Sequence, residues 1–174
     1  MGNVLKLELN RPVPLFELPS TLGRNIQLWE YRQRKNVLIL FLCSDNNRNG
    51  KILRNFADNY DQYLSQNTEI LAIINEDQKE IDGLKKELNL PFPMLSDMSG
   101  NVADKYTQII DKCSIPSVFV IDKFGILYYQ SALEKEDEFF EQDKIFEWLD
   151  FVEKQCPECT IPVEWSSEDL ELVI

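Results

Sequence analysis

The sequence predicts an α/β domain, a mixed β-sheet flanked by helices with a small hairpin extension on its N-terminal side. Two continuous apolar runs of strand length, 37–42 and 70–74, carry no polar alternation, the pattern of strands covered on both faces. Between and after them, apolar residues recur at helical spacing. Late in the chain, two short apolar segments flank a turn, the mark of an antiparallel pair. Strands alternating with helices and closed by a hairpin give an α/β domain whose sheet is mixed.

The first 28 residues support the hairpin extension. Pro12, Pro14 and Pro19 punctuate the segment, Thr21, Leu22, Gly23 and Arg24 supply turn chemistry, and Asn25, Ile26, Gln27 and Leu28 alternate. The run 37–42 is then expected as the central strand. From Lys51 to Leu64 the positions of Ile52, Phe56, Tyr60 and Leu64 predict one amphipathic helix. The second strand candidate, 70–74, leads into a helix ending near Leu88, with Ile81, Leu84 and Leu88 on one face. Pro91, Phe92 and Pro93 read as a loop, followed by a short helix around Val102 to Tyr106. Residues 118–121 and 126–129 form the late hairpin around Asp122, Lys123, Phe124 and Gly125. A last helix, roughly Gln142 to Lys154, turns Ile145, Trp148, Leu149 and Val152 inward, and Pro157 bars its continuation. One domain over 1–155 is expected, with 156–174 as a Cys-Pro-Glu-Cys motif and an acidic tail that mixes acids with Trp165 and an apolar end.

Composition narrows the chemistry. Eighteen basic against thirty acidic residues leave a net charge of −12, which repels phosphate backbones and anionic lipid surfaces, so neither nucleic acid nor a membrane is an expected partner. The N-terminus lacks a signal-peptide pattern, Lys6 stands where a myristoylation signal favours Ser or Thr, and a cytoplasmic location is expected. The chain has no histidine, which excludes Ser-His and Cys-His nucleophile pairs and His-ligated zinc. No cofactor and no bound metal are expected. Four cysteines remain: Cys43, Cys113, Cys156 and Cys159.

Several landmarks occur in order: residues 14–18 (Pro-Leu-Phe-Glu-Leu), the strand ending at Leu40 and Phe41, residues 91–97 (Pro-Phe-Pro-Met-Leu-Ser-Asp), and residues 116–122 (Pro-Ser-Val-Phe-Val-Ile-Asp). Through these the chain, over roughly residues 11–152, resembles the AhpC/TSA (peroxiredoxin) group. The resemblance implies a thioredoxin-like fold, and a homodimer is an expectation drawn from the family alone. It also implies a Pro-x-x-x-Thr-x-x-Cys motif after the central strand, whose cysteine opens a helix that stabilises its thiolate. Here Cys43 falls on the proline, Asn47 on the threonine and Gly50 on the nucleophile; a Cys-x-x-Cys register instead places Asn46 and Asn49 on the two cysteines. Both registers lose the thiol. The family's arginine position falls on Pro116 or its neighbours, and Pro116 resembles the loop proline that is cis in thioredoxin-like proteins.

Two readings of residues 46–50 follow: a polar turn whose Asn or Asp side chain caps the next helix, or a binding pocket of Ser44, Asp45, Asn46, Asn49, Gly50 and Pro116 without a reactive thiol. Cys156 and Cys159 form the remaining Cys-x-x-Cys. They are the candidate catalytic pair, cycling between dithiol and disulfide, or half of a metal site completed by Cys43 and Cys113 or by a second subunit, or a structural feature. A helix C-terminus, Glu153 and Glu158 all oppose thiolate formation there. Cys43 and Cys113 are expected to border the pocket and can approach one another, and the simplest role of each is that of a small hydrophobe. Two functions are therefore weighed: a non-catalytic binding or assembly protein, and a thiol-dependent oxidoreductase or antioxidant protein whose partner is a protein, a small thiol or a peroxide.

Overall fold

The computed structural model describes residues 4–111 and 113–155. The N-terminal hairpin is present: β1 (Glu17–Pro19) and β2 (Asn25–Gln27) pair antiparallel, Leu18 beside Ile26. A single turn of 3-10 helix, Leu28–Tyr31, leads to β3 (Asn36–Leu42), whose seven residues are all buried. Helix α1 (Asn46–Asp58) and helix α2 (Tyr60–Ser65) follow, then β4 (Thr68–Ile74), α3 (Gln78–Leu88) and β5 (Met94–Ser96). After α4 (Asn101–Tyr106) come two short paired strands, β6 (Ile109–Ile110) and β7 (Cys113–Ser114). The chain continues through β8 (Ser117–Ile121), β9 (Leu127–Ala132) and α5 (Gln142–Glu153).

The main sheet has five strands in the order β5-β4-β3-β8-β9. Strand β3 is its centre, parallel to β4, with Leu40 beside Ala72, and antiparallel to β8, with Leu40 beside Val118. The expected mixed sheet flanked by helices is therefore found. Both faces of β3 are covered, which is why its sequence shows no polar alternation. Leu38, Leu40 and Leu42 pack with Phe56, Tyr63, Ile81 and Leu149 from the helices on one side. Val37, Ile39 and Phe41 pack with Phe16, Leu18 and Ile26 of the hairpin and with Tyr106 on the other. The hairpin thus works as a lid on a sheet face that no long helix covers.

The helical stretch differs from the sequence expectation in two ways. It begins at Asn46 rather than Lys51, because the Asp45 carboxylate accepts the Arg48 amide and caps a start that apolar periodicity does not mark. It also breaks at Asn59, whose side-chain amide donates to the Asn55 carbonyl at 2.8 Å, diverting an acceptor at the end of α1. Strands β5, β6 and β7 were not expected. Each is only two or three residues long and is held by its neighbour rather than by its own pattern.

Candidate functional site

The site lies where β3 ends. Phe41 of β3 sits opposite Ser117 of β8, so antiparallel pairing brings the end of one strand beside the beginning of the other. Cys43 lies just past β3, and Cys113 stands just before β8 in the small β6/β7 hairpin. The two are joined in a disulfide with their Cα atoms 5.2 Å apart, although 70 residues separate them in sequence. Both are half-buried. This corrects the reading of each as a small hydrophobe, and it removes Cys43 and Cys113 as independent thiolate ligands for a metal shared with Cys156 and Cys159.

The turn after Cys43 is organised around that residue's carbonyl. The Asp45 amide donates to it at 2.8 Å, and so does the side-chain amide of Asn49. Asn49 is only 2% exposed, so its side chain belongs to the interior of this turn. Ser44 donates through Oγ to the Asn75 carbonyl at 3.0 Å, which ties the end of β3 to the end of β4. Asn46 opens α1 and Gly50 lies within it. Pro116 is buried, and its carbonyl accepts the Leu133 amide at 2.8 Å. Its peptide bond is trans, which corrects the expectation of a cis proline, and β8 begins at the next residue, Ser117. Cys156 and Cys159 lie outside the described residues.

Beside this turn is a cleft of about 430 Å³, lined by Asp45, Arg48 and Lys51 at the start of α1 and by Glu136, Asp137, Glu138 and Phe139 of the segment that follows β9. The Arg48 guanidinium donates through Nη2 to the Lys135 carbonyl, bracing the start of α1 against the segment that follows β9. Sequence reasoning passed over Arg48 and Lys51. The signal available was two basic residues in the first two turns of a helix, where the helix dipole already attracts anions. The acidic residues carried no such signal, because Glu136 and Asp137 meet α1 only through the path of β9.

Residues 9–130 match the AhpC/TSA family. The chain belongs to that family. Among the relatives of this family member is a bcp protein of Coxiella burnetii described as a candidate peroxiredoxin, 25% identical over 131 residues, covering 71% of this chain and 87% of that one. The chloroplastic peroxiredoxin Q of Oryza sativa subsp. japonica is 25% identical over 127 residues, 71% of this chain, and the chain spans 58% of the rice protein's length. Solved structures agree in fold. The peroxidoxin BcpB of Mycobacterium tuberculosis superposes with a TM-score of 0.73 at 20% identity, covering 84% of this chain and 98% of that one. The reduced 2-Cys peroxiredoxin of Plasmodium vivax gives 0.75 at 18% identity, covering 82% and 80%. The thioredoxin-like fold of the peroxiredoxins is thus the fold of this family member. Among the described residues no helix is long and apolar enough to cross a membrane.

Proposed function

We propose that this chain is a thiol-dependent oxidoreductase of the AhpC/TSA family whose redox couple is Cys43 and Cys113. The supporting observation is the disulfide itself, set at the end of the central strand, beside the turn where the family resemblance puts the reacting thiol. The sequence has no cysteine between Cys43 and Cys113, so the first turn of α1, with Asn46 to Gly50, supplies no thiol of its own. In the reduced form one cysteine attacks a peroxide or a disulfide, and the second displaces the oxygen or sulfur left on the first. Two electrons and two protons leave the dithiol, and the disulfide remains. With a peroxide the products are water and an alcohol or a second water; with a disulfide they are two thiols. Thiol nucleophilicity governs the rate in both cases.

A second reading, a binding or assembly protein on the same scaffold, draws its support from Asn49. This buried amide fills the first turn of α1 with a group that neither ionises nor attacks a peroxide. Cys156 and Cys159 remain a candidate second pair in the oxidoreductase reading.

The test is turnover of hydrogen peroxide and of a small aromatic disulfide with dithiothreitol as reductant. It compares the parent chain with Cys43→Ser, Cys113→Ser and Cys156→Ser/Cys159→Ser variants. Turnover lost in the first two and kept in the third is the expected result. Turnover lost only in the third moves the couple to Cys156 and Cys159, and a parent chain without turnover leaves the binding reading.

A further inference from the structure

We propose that residues 164–171 of this chain, Glu-Trp-Ser-Ser-Glu-Asp-Leu-Glu, dock on the same molecule in a groove between the segment that follows the 3-10 helix and the β8–β9 turn. The groove lies at the end of the sheet where β3 begins, whereas Cys43 lies past the other end of that strand. Its lining combines buried Leu28 and Val37 with the rings of Trp29 and Phe124 and with three cations, Arg32, Lys35 and Lys123. Asp122, the acid among the described residues that line it, is 7% exposed and accepts the Phe124 and Ile126 amides, so its carboxylate is engaged by the turn itself. Lys35 has Glu69 at 3.9 Å, the outer limit of an ion pair. Cations and apolar surface are thus gathered in one place on a chain whose net charge is −12.

Size and chemistry together choose the occupant. The crevice encloses about 20 Å³, far below the roughly 300–1,000 Å³ of small-molecule pockets, so it suits a chain segment lying across it rather than an enclosed ligand. Arg32 sits 4.2 Å from the centre of the Trp29 ring and Lys123 5.7 Å from that of Phe124. Cations set beside aromatic rings recognise carboxylates and further rings together. The net charge of −12 disfavours phosphate backbones and anionic lipid surfaces at this groove as elsewhere. Residues 156–174 supply the matching chemistry: Glu158, Glu164, Glu168, Asp169 and Glu171, no Lys or Arg, and Trp165 and Leu170 set among the acids.

Helix α5 brings that segment to the groove. Glu153 in its last turn accepts from the Asn36 side chain at 2.6 Å, and Asn36 in turn accepts the Lys123 amide at 3.1 Å. Tyr128 donates to the Gln155 side chain at 3.0 Å, which holds the end of the described chain at the same pole. The Gln33 amide donates to the Lys123 carbonyl at 2.7 Å and fixes the two sides of the groove to one another. Trp165 follows Gln155 by ten residues, a reach of up to about 33 Å when extended. A tether of that length keeps the segment at an effective concentration of about millimolar, so a few charge pairs and one buried ring suffice to hold it.

The experiment uses the full chain. Cleavage after Glu164, Glu168 and Glu171 by a glutamate-specific protease is timed by mass spectrometry in the parent, in Trp165→Ala and in Lys35→Glu/Lys123→Glu, and backbone amide shifts of the three are compared. Both variants should be cut about fivefold faster than the parent, the scale of one or two exposed charge pairs. Trp165→Ala, which alters no residue of the groove, should move the amides of Trp29, Lys35, Lys123 and Phe124, and added salt should move the parent toward it. Equal cleavage rates in all three, with the groove amides unmoved by Trp165→Ala, overturn the proposal. Groove shifts that fade on dilution, with a dimer in sedimentation, overturn docking within one molecule and assign the segment to a second copy.

Discussion

The side-chain amide of Asn49 donates to the carbonyl of Cys43, so the first turn of α1 is tied to the end of the central strand by a buried bond. Asn49→Ala removes the donor and leaves a void in the turn. It should cost about 1–3 kcal/mol of unfolding free energy, read from urea denaturation, and should raise the rate at which Cys43 reacts with a thiol reagent in the reduced protein. Unchanged stability would show that the turn is held by the Asp45 cap alone.

The bridge between Cys43 and Cys113 closes a 70-residue loop. Restricting the unfolded chain by a loop of that size stabilises the native state by about 4 kcal/mol on the chain-entropy account. The Cys43→Ser/Cys113→Ser variant should therefore unfold at lower denaturant than the oxidised parent, and reduction of the parent should bring the two midpoints together. Coincident midpoints for oxidised and reduced parent would contradict this.

Asn36 is 1% exposed and joins three elements, donating to the Glu153 carboxylate at 2.6 Å and accepting the Lys123 amide at 3.1 Å. Asn36→Asp sets two carboxylates against each other in a half-dry position, and a loss of about 2 kcal/mol or more follows from the unmet pair. Glu153→Gln in the same chain should restore part of that loss, because the glutamine amide can donate to the new carboxylate. A double-mutant cycle without coupling would remove the contact from consideration.

Asp122 provides the pH dependence. Burial raises its carboxyl above the ordinary value, although the amides of Ile126 and Phe124, each donating at 2.9 Å, pull the other way. With the folded value above the unfolded 3.8, the folded protein holds more protons in the interval between them, and stability falls as pH rises through it. The difference in stability between Asp122→Asn and the parent, followed by thermal melting from about pH 3 upward, should move in favour of the variant over that interval and level off above it. A difference independent of pH would place the raised carboxyl elsewhere.

Much of the architecture was legible because it is local. The apolar run of β3 and the helical spacing of Ile81, Leu84 and Leu88 are properties of short windows, and the fold follows from their order. The early start of α1 was not legible from periodicity, since its first turn, Asn46 to Asn49, is polar and depends on the Asp45 cap. The break at Asn59 depends on a side chain competing for a backbone acceptor, which apolar spacing does not register.

By itself, the sequence determined an α/β fold of the AhpC/TSA type, an acidic chain without histidine, and a helix start without a thiol. Only the tertiary structure decided the partner of Cys43. The pairing with Cys113 spans 70 residues and arises because β3 and β8 are antiparallel neighbours, so that Phe41 meets Ser117 and the chain ends beyond them converge. The same holds for the cleft, whose lining brings Arg48 and Lys51 together with Glu136, Asp137 and Glu138 from a distant part of the chain. A sequence records which residues are near in the chain, and strand pairing decides which distant ones share a site.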